Sequence, residues 1–386
     1  MHSQNFWPYK ILVFLVIFLC LPLPHGNIYP FLGLVGICLF QYKKQDFYHP
    51  ITNPLLIIFL VWCTASVFWA VTSKVLSTYC KVIAIMLAGW FWSNSYNKFN
   101  QHKREQIQTT IFAAGLLLAI CLVIFAISLK FGWQLHTIID ERVSQALVHG
   151  CIACSLTIWI KLQYFNKWGQ AFILIILFLT IQRCSSDTAA LGIFLGSSAL
   201  IMHKVLPKFL KATFIYGMPI VWGILPFIFR ILTPEQYTQW STILDSSHTH
   251  RLFIWHSVTK QLFERFWTGF GIGSSRYRFL NYDGGDITII NEHQKLVLFS
   301  PENCLHPHNF MLQIWLELGA IGVALACITW IVYWRNYYET SSSNTIAFFG
   351  CALCVAATGI SVWQSWWLIL LVVLVPIYKT QYQSQP

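Results

Sequence analysis

Charge is scarce in this chain of 386 residues. Asp, Glu, Lys and Arg make up 10% of it, against about 25% in an ordinary soluble domain. Acidic residues are fewest, 14 against 25 Lys and Arg. So little charge cannot cover a water-facing globular surface, and 56% hydrophobic with 17% aromatic residues fill the gap. The composition therefore describes a polytopic membrane protein. Other things are missing too. No small-residue cleavage site follows the first apolar run, where "LPLPHG" stands, so that run is expected to stay as a first span. There is no internal repeat and no low-complexity tract. The twelve cysteines form no zinc or disulfide framework, because most lie in apolar runs. Cys151/Cys154 and Cys351/Cys354 have C-x-x-C spacing but sit inside hydrophobic helices, where free Cys acts as a small packing residue. Cys184 and Cys304 fall near expected loops, and a bond between them stays open. "GFGIG" lacks the spacing and the strand-to-helix setting of a nucleotide loop. "HPH" offers two histidines, too few for a metal site.

Long apolar runs are abundant. At about 20 residues per bilayer crossing, spans are expected near 9–25, 28–41, 54–72, 75–93, 107–130, 146–163, 168–183, 188–203, 212–232, 309–333, 345–361 and 363–378. The net charge of +11 is explained by its distribution. Lys43, Lys44, Lys98, Lys103, Arg104, Lys161, Lys167, Lys204, Lys208, Lys211 and Arg335 fall in alternate loops, and the short loops between hold only Lys74, Lys130, Arg142 and Arg183. By the positive-inside rule both termini are cytoplasmic. No nucleic-acid partner is needed to account for the charge. Three parts result: residues 1–232 with spans one to nine, an outer loop at 233–308, and residues 309–386 with spans ten to twelve and a cytoplasmic tail. The loop, about 75 residues, holds six Lys/Arg and seven Asp/Glu. Within it Leu252, Trp255, Val258, Thr259, Leu262 and Phe266 recur at spacings of three and four, the pattern of an amphipathic helix. Ser247 or Thr249 is expected to cap its start, and "WTGFGIG" to turn the chain after it.

Chemistry concentrates where span ten begins, in "CLHPHNFMLQIWLELGAIG". His308 stands at the outer boundary, and Asn309, Gln313 and Glu317 follow on one helical face. Glu317 lies about 13 Å deeper than His308, at 1.5 Å rise per residue. An ionisable group at that depth faces the bundle interior or a wet cavity. Two readings stand for Glu317, a packing bond to another helix or a link that holds the His-bearing helix in register. Gly319 and Gly322 are expected to admit a neighbouring helix closely.

The spacing His308 to Gly319, within H-N-x-x-L-x-x-x-x-E-x-G-x-x-G, resembles the signature of the O-antigen ligase and polymerase superfamily. A second block agrees: Arg251, Trp255 four residues on, the amphipathic helix, then Gly271 and Gly273. The order of nine spans, outer loop, His motif and closing spans matches as well. The resemblance implies an all-α polytopic membrane protein of about twelve transmembrane helices, GT-C-like, with a helical periplasmic loop between spans nine and ten. It implies glycosyl transfer at the periplasmic face of a Gram-negative inner membrane. The donor would be a glycan on undecaprenyl pyrophosphate, the acceptor a sugar hydroxyl of lipid A-core, and membrane lipids the surroundings. The family's Ser-Arg-x-Ala-x-Leu element appears here as Ser186-Asp187-Thr188-Ala189-Ala190-Leu191. Asp187 replaces the arginine, and Arg183, four residues earlier, is expected one turn away on the same helix face.

Such a transfer needs a base for the acceptor hydroxyl and cations for the departing pyrophosphate. His308, with a pKa near working pH, suits the first role. Arg251, then Arg183 and Arg142, suit the second through bidentate bonds to phosphate. His306 and Asn309 would position, and Asp187 and Glu317 would support. No cofactor is called for, and a single displacement would invert the anomeric carbon. The alternatives are an O-antigen polymerase, with a second lipid-linked glycan as acceptor, and a protein O-oligosaccharyltransferase, which is usually longer. A polysaccharide transporter or flippase would carry more intramembrane charges than Lys81, Arg230 and Glu317.

Overall fold

The protein is described from a computed structural model, which covers residues 6–20, 26–41, 54–70, 74–130, 141–184, 186–231, 246–275, 277, 287–291, 294–299 and 306–380. Thirteen helices build it among the described residues. They are α1 (Trp7–Phe18), α2 (Ile28–Gln41), α3 (Pro54–Ser66), α4 (Lys74–Lys98), α5 (Gln101–Lys130), α6 (Glu141–Thr157) and α7 (Lys167–Arg183). Then come α8 (Asp187–Val205), α9 (Pro207–Ile231), α10 (Ser246–Leu262), α11 (Phe310–Tyr337), α12 (Ser343–Thr358) and α13 (Ser365–Thr380). Each of the twelve expected spans coincides with one helix, and α10 is the helix of the long loop. Five helices are long and apolar enough to cross a bilayer alone: α4, α5, α8, α9 and α11. The chain is a multi-pass membrane protein. α9 carries a π-helical turn at Thr213–Gly217.

Two departures from the expected fold concern the long loop. It contains an antiparallel hairpin, Ile287–Asn291 with Gln294–Phe299, Asn291 standing opposite Gln294. The chain is thus not purely helical. The β-branched run "ITIIN" is the signal for it. The helix α10 starts at Ser246, ahead of both expected caps. It is also covered on more than one side: Phe253, Ile254, His256, Ser257, Val258, Thr259 and Leu262 are buried, and Leu252 and Trp255 half-buried. Its buried side packs with Phe229 of α9 and with Met311 and Trp315 of α11 in one apolar cluster. The C-x-x-C cysteines are packing residues as expected: the Cys154 thiol donates to the Gly115 carbonyl, and the Cys351 thiol to that of Ser155.

The helix α11 is broken at Gly319, which has φ 66° and ψ −170°, a conformation open only to glycine. A break strands backbone groups that a membrane interior cannot hydrate. Here the loop after α10 takes them up. Ala320 N–H donates to the Phe266 carbonyl at 2.8 Å and Ile321 N–H to that of Trp267 at 3.3 Å. In return Phe270 N–H donates to the Leu316 carbonyl at 2.9 Å and Gly271 N–H to that of Glu317 at 2.8 Å. The Trp62 indole donates to the remaining carbonyl, Leu318, at 3.0 Å. Gly319 therefore admits a loop and not a helix. A Cβ on it would meet the Trp267 carbonyl oxygen at 2.4 Å, and one on Gly269, itself at φ 66°, would meet the Glu317 carbonyl carbon at 2.4 Å.

Gly319→Ala and Gly269→Ala should each destabilise the protein by roughly 3 kcal/mol or more, from backbone strain and overlap together. Gly223→Ala, where an added Cβ meets nothing within 4 Å, should be neutral. Thermal melting of detergent-purified variants measures this, and a wild-type melting temperature for Gly319→Ala would contradict it.

Candidate active site

Local chain geometry sets the His motif. Asn309, in extended backbone, is the N-cap of α11, and its side chain accepts from Met311 N–H and Leu312 N–H at 3.1 Å each. This satisfies two donors that a helix start leaves open. The residue before it, His308, has φ 52°, the one non-glycine at positive φ among the described residues. Such a conformation persists only where its surroundings hold it, and it concentrates at functional sites. The His308 Nδ1 lies 3.3 Å from the Gly359 carbonyl. A carbonyl only accepts, so this contact puts the proton on Nδ1 and the lone pair on Nε2. That is the tautomer of a general base acting through Nε2.

His306 packs beside it, ring centroids 4.2 Å apart. Burial pushes the His306 pKa down to about 3, and the neighbouring His308 lowers it further, against a hydrogen bond with Gly359 that raises it. His306 is thus neutral near pH 7.

A cavity of about 530 Å³ adjoins this motif. Arg251, Trp255, Asp187, Thr188, Gln182 and Thr358 are among its lining residues. Two contacts join it to the histidines. The Trp255 indole donates to the Pro307 carbonyl at 2.8 Å, and Thr358 directly precedes Gly359, the His308 partner. Arg251 is therefore on the wall, and the His308 motif is tied to that wall through Trp255 and the end of α12.

The expected pairing of Arg183 with Asp187 on one helix face does not occur. The chain leaves the helix at Cys184 and restarts at Ser186, so Arg183 ends α7 and Asp187 begins α8. Arg183 is exposed, while Asp187 is half-buried on the cavity wall. The side chain of Arg142 lies outside the described residues, as does Cys304 of the Cys184–Cys304 question.

Glu317 is fully buried, at 0% exposure. Its carboxylate accepts from the Ser275 hydroxyl, from Gly273 N–H, from the Gln313 amide at 2.9 Å and from the Trp363 indole at 2.6 Å. Gln313 in turn accepts from Val362 N–H at 3.0 Å. One carboxylate thus ties α11 to the loop after α10 and to the turn before α13. Of the two readings of Glu317, the geometry is that of the link in register. A second cavity of about 360 Å³ lies against this group. A third, of about 460 Å³, is apolar and includes Leu60, Met86, Trp90 and Leu371. Sequence reasoning missed Gly359, Trp363 and Gln364, which lie in the turn between α12 and α13. Its glycine and tryptophan were the available signal.

Fold and site together define a multi-pass membrane protein with an arginine on a cavity wall and a histidine motif next to that wall. The family described as O-antigen ligase matches residues 142–327, which hold both groups. Over that stretch the chain is similar to the O-antigen ligase family. It is similar to proteins named "Putative polysaccharide ligase" in Rickettsia conorii, 27% identical over 337 residues, covering 85% of this chain and 79% of that one. The Rickettsia bellii relative of that name is 28% identical over 325 residues, covering 81% and 76%.

The His306 shift makes a pH prediction. Its folded pKa of about 3 lies below the ordinary 6.5, so unfolding takes up a proton between those values and stability drains as pH falls through that window. Replacing His306 with Asn should flatten the fall in melting temperature from pH 6.5 to 3 relative to wild type. Parallel curves for the two proteins would contradict a buried neutral His306.

Proposed function

We propose that this protein is an O-antigen ligase. It transfers a polysaccharide from undecaprenyl pyrophosphate to a sugar hydroxyl of lipid A-core, at the periplasmic face of a Gram-negative inner membrane. The observation that carries this reading is the cavity of about 530 Å³ lined by Arg251, Trp255 and Thr358, to which the His308 motif is joined through Pro307 and Gly359. In the proposed topology α1 to α9 (within residues 1–232) and α11 to α13 (within 309–386) all span, both termini are cytoplasmic, and residues 233–308 form the periplasmic element.

His308 Nε2 takes the proton of the acceptor hydroxyl as its oxygen attacks the anomeric carbon. The bond from that carbon to the pyrophosphate oxygen breaks, and undecaprenyl pyrophosphate leaves. Arg251 donates to the phosphate oxygens, where charge grows in the transition state. Asp187 stands with Arg251 on the cavity wall. Arg183 and Arg142 are second cations, Arg183 at the end of the helix that contributes Gln182 to the wall. One displacement inverts the anomeric configuration. The scheme uses no nucleotide and no metal. The names of the relatives favour ligation over polymerisation.

In a strain lacking the gene, lipopolysaccharide gels should show bare lipid A-core while lipid-linked polymer accumulates. Complementation with His308→Ala should restore ligation at least ~100-fold less than wild type, the scale of general-base catalysis. Arg251→Ala should be similarly impaired. Normal ligation by His308→Ala at normal expression would overturn the mechanism. Core carrying a single repeat unit in the deletion strain would make the protein a polymerase, and donor retained on the cytoplasmic leaflet would make it a flippase.

A further inference from the structure

The turn between α12 and α13 passes from one cavity to another. Thr358 lines the Arg251 cavity, Gly359 meets His308, and Ser361, Trp363 and Gln364 line the cavity of about 360 Å³. The opposite walls of this second cavity are Ser77 and Lys81 on the first turns of α4, Ser275 on the loop, and Gln313 and Glu317 on α11. Hydroxyl, carboxamide and carboxylate groups prevail in it, inside a bundle whose other buried side chains are mostly apolar. Polar groups among spanning helices are costly and are kept where they serve a partner or a pathway.

The clamp around Glu317 explains only part of this polarity. The buried Oε1 of Gln364 has no hydrogen-bond partner among the described residues, and a buried acceptor left open costs free energy. Ser77 and Lys81 are exposed and take no part in the clamp. Trp363, held by its bond to Glu317, adds an indole to the wall. Carboxamides and hydroxyls that both donate and accept, beside an indole, are the chemistry that recognises a sugar ring. The volume lies at the lower end of the ~300–1,000 Å³ typical of small-molecule sites.

We propose that this cavity is the acceptor-saccharide site, seating the sugar whose hydroxyl His308 deprotonates. The inference rests on the proposed function. An inverting displacement needs nucleophile and leaving group on opposite sides of the anomeric carbon. The Arg251 cavity takes the leaving pyrophosphate. His308 bonds to Gly359, which stands in the turn between Thr358 of that cavity and Ser361, Trp363 and Gln364 of the polar one. The acceptor hydroxyl therefore approaches from the side of Gln313 and Gln364.

The test is calorimetric binding to the full-length protein in nanodiscs. The probes are the deacylated core oligosaccharide of the source strain's lipopolysaccharide, and inorganic pyrophosphate for the other cavity. Gln364→Leu removes the open acceptor, and Ser77→Trp fills the cavity from an exposed position. Each should weaken the oligosaccharide about tenfold or more while leaving pyrophosphate affinity and melting temperature unchanged. Unchanged oligosaccharide affinity in both variants, or no binding to wild type, overturns the site. The outcome separates from that of the functional reading. Binding lost in these variants alongside normal ligation by His308→Ala keeps the site and removes the reading. Unchanged binding alongside abolished ligation does the reverse.

Discussion

A helix broken inside a membrane leaves carbonyls and N–H groups that lipid cannot satisfy, and the rest of this site follows from how the Gly319 break is repaired. The repair comes from the segment Phe266–Gly273, which exchanges backbone hydrogen bonds with Leu316–Ile321. That segment directly continues α10, the helix of Arg251. The helix it repairs begins directly after His308. Backbone bonding therefore fixes the arginine-bearing helix against the histidine-bearing one. Glu317 reinforces the junction from its side chain by binding Gly273 and Ser275 of the same segment. Its buried carboxyl group is also bonded by Gln313 and Trp363.

This scaffold gives the residues of the cavity separate tasks. Asn309 caps α11 and so holds the turn in which His308 adopts its positive φ. Gly359 accepts from His308 Nδ1 and thereby directs its lone pair to Nε2. His306 is kept neutral by burial, its ring tilted against that of His308. Trp255 bridges the arginine wall to Pro307. In the proposed reaction the base is preorganised by its backbone contacts and the His306 ring, and the cation arrives on a helix anchored by the Gly319 repair.

Much of the fold was legible, because apolar runs of bilayer length announce themselves and Lys and Arg mark the loops between them. The α10 helix showed in its apolar periodicity and the loop after it in its glycines. The His motif stood out by spacing. What could not be read was pairing at a distance. Glu317 finds Gly273, Ser275 and Trp363 some 42 to 46 residues away in sequence, and no local pattern reports that. Gly319 looked like a small residue for helix packing, since a glycine's φ is invisible in sequence. Arg183 and Asp187 are spaced like helix neighbours, yet the chain turns between them at Cys184–Ser186. The hairpin strands are short and lie within a polar loop, although "ITIIN" and "QKLVLF" have the β-branched and apolar content of strands.

The central claim is that His308, held as a Nδ1–H tautomer beside the Arg251 cavity, is the base of the transfer. The most direct measurement is the pH dependence of single-turnover glycan transfer by the purified protein in nanodiscs, for wild type and His308→Ala. The account predicts a wild-type rate that rises with pH to a plateau through one ionisation in the histidine range, and a slow variant from which that ionisation is missing. The same ionisation persisting in His308→Ala, or a variant rate equal to wild type, would contradict it.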